Sequence, residues 1–208
     1  MIKRLQTDMK RIGFYAGEID GKWGPQSEKA YRALVGLLDE ASISWGSKVS
    51  PAFRSKVIDI SARLGVDPDD LMSCIAFESA ETFRADIKNA AGSGAVGLIQ
   101  FMPSTAKGLG TSTESLAAMT PESQLDYVEK YFKPYSGKMK NLGDIYMAIL
   151  WPAGIGKSDD WVLWNQADRP TTYRQNSGLD INNDSVITRG EAIKKIREKA
   201  VRGEQYRW

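Results

Sequence analysis

The chain has 208 residues, with 28 Lys and Arg against 26 Asp and Glu, and a net charge of +2 makes no electrostatic case for a nucleic-acid partner. Its 42% hydrophobic content can fill a core, and no apolar run nears the roughly 18 residues of a membrane span, so a soluble domain with a small appendage is expected and stable membrane insertion is not. There is no His and one Cys, Cys74, which excludes a Ser-His-Asp triad, a Cys-His peptidase, a His-ligated zinc site and an intramolecular disulfide.

The opening MIKRLQTDMKRIGF breaks its apolar positions with charges and lacks the apolar stretch of roughly 7 to 15 residues that marks a secretory signal, which predicts synthesis and residence in the cytoplasm. Ile2, Leu5, Met9 and Ile12 recur at helical spacing up to Gly13, a C-terminal cap residue, and Ala30, Leu34, Leu37 and Leu38 mark a second helix. Between them GFYAGEIDGKWG carries four glycines and an Asp-Gly turn. Residues 1–40 barely enclose a core, which suits a recognition module better than a catalyst. The stretch from Leu5 to Leu34, through Gly13-Phe14-Tyr15, Asp20-Gly21 and Gly24, resembles the small helical peptidoglycan-binding domain at the ends of many wall-degrading enzymes. That resemblance implies wall binding through Phe14, Tyr15, Asp20, Gly21 and Trp23 by a trimmed module, since the family form is longer. A helical hairpin that only packs on the main domain is the alternative.

Residues 41–50, ASISWGSKVS, are rich in Ser and Gly without a period and read as a linker anchored by Trp45. Ser50-Pro51 has the form of a cap followed by a first-turn proline, and Phe53, Val57, Ile60 and Leu64 form the stripe of a helix ending at Gly65. A further helix opens at Asp67-Pro68, where Asp69 and Asp70 favour the helix dipole. Helices are expected at 103–109, 121–132, 142–151 and 189–202, and no segment alternates with period two, so the fold is read as mainly α, with residues 51–208 forming the main domain. In the helix from Asp69, the residues Leu71, Cys74, Ile75 and Glu78 share one stripe, so a carboxylate continues an apolar face. Burial and the negative end of the dipole both disfavour an ionised Glu78, and a carboxyl group protonated near neutral pH is what a general acid requires. A Glu78 that turns to solvent or pairs with Arg84 is the plain alternative.

Asn89 to Ala106, NAAGSGAVGLIQFMPSTA, follows with three glycines in six positions, which let backbone approach a ligand closely, and then Gln100 and Met102 ahead of Pro103. Glu78-Ser79, GAVGLIQFMPSTA and WPAGIG at 151–156 resemble, in the same order, the catalytic domain of soluble lytic transglycosylases, relatives of goose-type lysozyme. Leu64 to Pro68 matches the element before the catalytic helix, and the likeness covers about residues 51–157. It implies a lysozyme-like helical fold, Glu78 as the single catalytic acid and base, and a sugar groove lined by Ser93, Gly97, Gln100, Met102 and Trp151. It implies that protonated Glu78 donates to the oxygen joining N-acetylmuramic acid to N-acetylglucosamine in peptidoglycan. The carboxylate then takes the muramic acid C6 hydroxyl proton and a 1,6-anhydro ring closes, with no cofactor required.

The sequence also departs from that family. Four extra residues separate Glu78 from the glycine loop, Ala91 replaces a serine and leaves Ser93 as the nearby hydroxyl, and Leu150-Trp151-Pro152-Ala153-Gly154 stands where the family has Ala-Tyr-Asn-Ala-Gly. Trp151 reads either as a sugar-stacking ring or as a core aromatic. An inverting muramidase stays open if Glu81 or Asp86 serves as a second carboxylate, Glu81 also raising the Glu78 pKa as a like charge; so does a catalytically silent wall binder.

Asp180 to Glu191 places oxygen ligands at loop positions 1, 3, 5, 9 and 12, namely Asp180, Asn182, Asp184, Thr188 and Glu191, with the Val186 carbonyl at position 7. This resembles an EF-hand or dockerin-type loop and implies a structural calcium, although Ser185 stands where the loop glycine belongs. The same residues read as turn chemistry followed by a Thr188-x-x-Glu191 capping box. From Arg189 the last 20 residues hold seven Lys or Arg against three Glu, a solvated helix face or a contact for anionic wall polymers. The whole resembles a modular bacteriophage endolysin, expected to act as a monomer on peptidoglycan after waiting in the host cytoplasm.

Overall fold

The structure, a computed structural model, describes residues 1–208 apart from Ala91 and the side chains of residues 35–41. Leu37, Leu38 and Ala91, on which the sequence reading draws, therefore lie outside the described residues. The chain divides into two compact units, Met1–Ser42 and Ile43–Trp208. Both are helical, and the described residues contain a single sheet of two short strands.

In the first unit, helices α1 (Ile2–Arg11) and α2 (Pro25–Ala41) flank the glycine-rich turn. Gly13 takes φ +85° just after α1, the left-handed conformation that ends helices most cheaply on glycine. Met9, Tyr15 and Ala30 form a small core with Leu5, Phe14 and Leu34 against it. So few apolar groups are supplemented by a polar hub. The buried Gln6 amide donates to the Tyr15 hydroxyl, the Asp20 carboxylate, the Lys22 carbonyl and the Ser27 hydroxyl at 3.0–3.2 Å, and its oxygen accepts from the Gly21 amide at 2.8 Å. One side chain thereby fixes the turn to both helices.

The second unit contains α3 (Pro51–Leu64), α4 (Pro68–Glu78), α5 (Pro103–Gly108), α6 (Thr113–Ala117), α7 (Pro121–Phe132), α8 (Leu142–Leu150), α9 (Pro170–Asn176) and α10 (Arg189–Gly203). Caps set the boundaries. The Ser50 hydroxyl accepts from the Phe53 amide at 3.0 Å, Gly65 closes α3 at φ +70°, and Asp67 accepts from the Asp69 amide at 2.8 Å. The central helix is α4, packed against α3, α8 and α10, with Leu71, Met72, Cys74 and Ile75 fully buried. Among the described residues no helix is long and apolar enough to cross a membrane.

Strands β1 (Val162–Asn165) and β2 (Val186–Thr188) pair antiparallel, and with α6 and α9 they are elements the sequence reading did not anticipate. Of the stretch read as a linker, residues from Ile43 onward belong to the second unit. Ile43 and Trp45 lie in its core, and Trp45 stacks on Tyr206 with ring centroids 5.1 Å apart. The Ile43 amide donates to the Trp208 carbonyl at 2.9 Å, so the end of the chain returns to the start of this unit.

Behind the sheet lies a buried charge network. Arg189 and Asp144 are both nearly inaccessible and meet at 2.9 Å; Arg189 also reaches Asp159 at 2.7 Å and the Gly154 carbonyl at 3.2 Å. Asp144 accepts in addition from the Lys140 and Gly156 amides at 2.9 and 2.8 Å. These bonds tie α8, the turn after it and the start of α10 together, at a desolvation cost that only full pairing offsets.

Candidate active site

Glu78 is the last residue of α4. The preceding turns of that helix are buried on every side, so the carboxyl emerges half-buried from an apolar bed beside the C-terminal carbonyls. Among the described residues it has no hydrogen-bond donor and no cation paired with it. Burial alone pushes its pKa up, from 4.5 to about 8. The group is thus an acid that retains its proton at neutral pH.

The other carboxylates nearby are committed elsewhere. Glu81 pairs with Lys199 and, at 3.0 Å, with Arg202; burial opposes its ionisation, but the two cations outweigh it and hold the group below the usual range. Asp86 takes a two-point contact from Arg84 at 2.8 and 2.7 Å, which keeps it ionised and also removes Arg84 as a partner for Glu78. Glu81 therefore does not raise the Glu78 pKa as a like charge, because the cause of that shift is burial.

The chain beyond Glu78 makes a tight hook. Ala80, Glu81 and Phe83 all have positive φ, at 50°, 63° and 52°, a conformation that costs non-glycine residues of order 1 kcal/mol or more each. The hook is held by the buried Ser79 hydroxyl, which accepts from the Phe83 amide at 3.1 Å, by the ion pairs of Glu81, and by Phe83 packing on Trp45 and Phe53. Nothing in the residue types signals it, since none is glycine, Asn or Asp.

The glycine loop is fastened from behind by Gln124 of α7, a fully buried side chain. Its amide donates to the Ala85 and Leu116 carbonyls at 3.0 and 2.8 Å, and its oxygen accepts from the Leu98 amide at 2.7 Å. Gly97, at φ +84°, lies so close to that amide that a Cβ would collide with it. This glycine is therefore spent on loop closure. Gln100, also at positive φ, turns its amide onto the Ile87 and Gly97 carbonyls at 3.3 and 3.2 Å. Met102 is exposed at the start of α5, and the exposed Ser93 hydroxyl accepts from the Ala95 amide.

Trp151 is half-buried at the end of α8, edge-on to Trp164 at 5.5 Å, with the Arg169 guanidinium 5.4 Å above its ring. With Trp161, Trp164, Asn165 and Arg169 it lines a cavity of about 440 Å³. Two residues beside Glu78 escaped the sequence reading. Tyr131 donates its hydroxyl to the Ala148 carbonyl at 2.8 Å and is pushed up to about 12, mostly by burial and by Tyr135, with Glu78 adding to it. Tyr146, buried and edge-on to Phe77 at 5.6 Å, is shifted up by burial and then by Glu78. Tyr146 lies five positions before Trp151, the position where the family tyrosine is missing.

In the first unit, Tyr15 is a core residue whose hydroxyl donates to the Glu18 carbonyl at 2.9 Å, and Asp20 and Gly21 are tied to Gln6. Phe14 is half-buried. Trp23 and Tyr31 are the exposed rings, edge-on at 5.6 Å, with the Trp23 indole donating to Glu28 at 2.8 Å.

The loop 180–191 is closed by its own hydrogen bonds. Asp180 accepts from Tyr173, Ser185 and Asp184, Asp184 from Val186, and Asn182 from Asp184. Glu191 accepts from Thr188 and Ile181 in a complete capping box. Among the described residues no group of three or more acidic or Cys side chains is placed to hold a metal ion, and Asp180, Asn182, Asp184 and Glu191, which the sequence reading assigns to calcium with the Val186 carbonyl, make these hydrogen bonds within the loop.

Comparison with curated proteins gives no match. The family model described as the transglycosylase SLT domain matches residues 56–169, more than half of the chain, from within α3 through β1 to Arg169. The chain belongs to the transglycosylase SLT domain family, and it is a mainly helical peptidoglycan lytic transglycosylase.

Proposed function

We propose that the enzyme cuts the β-1,4 bond between N-acetylmuramic acid and N-acetylglucosamine with Glu78 alone as acid and then base. The neutral carboxyl protonates the bridging oxygen, the bond breaks, and the resulting carboxylate removes the C6 hydroxyl proton as that oxygen closes on C1. The observation that carries this reading is the pairing pattern. Glu78 is neutral and unpaired, while Glu81 and Asp86 are each locked to cations. Hydrolysis needs a second carboxyl free to act as nucleophile or to direct water, and neither neighbour is free. Ser93, Gly97, Gln100, Met102 and Trp151 are assigned to the sugar-binding surface, and the cavity that Trp151 lines with Trp161, Trp164 and Arg169 supports its part in it.

A small first unit with an exposed Trp23–Tyr31 pair suits a wall-binding role, and the two units together suit a phage endolysin that remains in the host cytoplasm until lysis. Mass spectrometry of muropeptides released by the wild type is expected to show 1,6-anhydro ends. Reducing ends would overturn the single-carboxylate mechanism. Equal clearing of permeabilised Gram-negative cells by Glu78→Gln would remove Glu78 from it.

A further inference from the structure

The aromatic cavity of about 440 Å³ is lined by two separate stretches of chain. Trp151 and Ala153, at the end of α8 and in the turn after it, supply one part, and Trp161 with β1, including Trp164, supplies the other. The covalent link between them is ill suited to fix their spacing. Residues 156–160 are exposed, and the backbone bonds from the Ile155, Lys157 and Trp161 amides reach back only three residues, to the Pro152, Gly154 and Ser158 carbonyls. An exposed loop held by local turns leaves its two ends free to shift against each other.

Arg189 bridges the two stretches. Its side chain donates to the Gly154 carbonyl at 3.2 Å, one residue beyond Ala153, and its backbone amide donates to the Trp161 carbonyl at 2.8 Å. Within the connecting loop, the Asp159 carboxylate accepts from the guanidinium at 2.7 Å and the Asp159 carbonyl from the Gly190 amide at 2.8 Å. Asp144 takes another arm of the fork at 2.9 Å and also accepts from the Gly156 amide at 2.8 Å. A Cβ on Gly143 would stand 2.6 Å from the guanidinium, so the fork is confined from the α8 side as well. Net stability does not account for such an arrangement, because apolar residues of similar volume often serve a fold as well as a buried ion pair does. What the planar fork adds is direction: its donors fix several acceptors at once, which an apolar contact leaves free to slide.

We propose that Arg189 is a positioning residue for glycan binding. Supplied from beyond the family-matched residues 56–169, it sets the spacing between Trp151 and the Trp161–Trp164 stretch, and it touches no sugar itself. The inference rests on the assignment of Trp151 to the sugar-binding surface. The test uses the full chain and measures kcat and KM on soluble glycan strands together with Tm. Arg189→Met, Asp144→Leu removes the fork and leaves no buried charge behind, so it is expected to melt close to wild type. Its KM is expected to rise roughly tenfold while kcat changes by less than about twofold. A KM that recovers along with the stability overturns the inference, because the pair would then serve the fold alone.

Trp151→Ala supplies the second arm. Alone it should raise KM by a similar factor, and in its background the Arg189→Met, Asp144→Leu pair should add little, since both act on the same contact. Effects on KM that multiply overturn the inference. A Trp151→Ala protein with wild-type KM removes the sugar-binding assignment and the inference with it. That result differs from one in which Trp151→Ala weakens binding and the pair substitution does not, which overturns the role of Arg189 alone. Should the pair substitution fail to fold, Arg189→Lys keeps the charge beside Asp144 but cannot reach Gly154 and Asp159 at once; a rise in KM supports the inference and a wild-type KM overturns it.

Discussion

Replacing Glu78 by Gln should stabilise the protein at alkaline pH and not at acid pH. The carboxyl titrates at about 8 in the folded chain against an ordinary 4.5, so between these values the folded chain keeps a proton that the unfolded chain has released. Stability therefore falls as pH rises across that window, and the loss is complete above about 8. Taken at face value the cost reaches about 4 kcal/mol at pH 8 and stays below about 1 kcal/mol at pH 5. The side chain is only half-buried, and solvent screening brings the realistic difference to about 2 kcal/mol. For a unit of this size each kcal/mol moves Tm by roughly 2–4 °C, so Glu78→Gln should melt about 4–8 °C above wild type at pH 8 and nearly with it at pH 5. Calorimetry of both proteins across pH 4–9 measures this, and other titrating groups such as Asp70 cancel in the comparison. A gap that does not change with pH would refute the claim that burial keeps this carboxyl neutral.

In the pH profile of activity, kcat/KM should be flat from about pH 6 to 8 and fall tenfold per unit above about 8, as the acid form of Glu78 disappears; a profile that rises through pH 8 contradicts the assignment. Gly97→Ala sets a Cβ against the Gln124 amide in a left-handed conformation, and a loss of about 2–4 kcal/mol in urea unfolding is expected, with cleavage falling in parallel. Arg189→Met strands the buried Asp144 carboxylate and should cost about 3 kcal/mol, whereas the double substitution Arg189→Met, Asp144→Leu should recover most of it.

What could be read from residues alone follows the physics of each signal. Helix α3 is written in its cap, its first-turn proline, its four-residue apolar stripe and its glycine, and all of these act locally. Glu78 is legible for the same reason: a carboxylate on an apolar stripe is anomalous over any three turns of helix. The strands are three and four residues long, too short for period two to accumulate, and they exist because residues 162–165 meet residues 186–188 across the chain. Ile43 and Trp45 lie in a stretch whose Ser and Gly content imitates a linker, but their burial depends on Phe83 and Tyr206, far away in sequence.

The site residues divide along the same line. Gly97 and Gln100 carry recognisable spacing, yet their side of the loop is fixed by Gln124, a residue with no local signature that only the packing of α7 brings to the loop. The hook at Ala80, Glu81 and Phe83 is the sharper case. Its strain is sustained by Lys199 and Arg202 more than a hundred residues downstream, so the geometry that ends α4 at Glu78 is determined partly by α10. Lys199 and Arg202, which read from sequence as part of a solvated basic face, are instead the counter-ions of Glu81. Neutralising Lys199 and Arg202 together should release that carboxylate toward its neighbour, loosen the hook and lower kcat before KM.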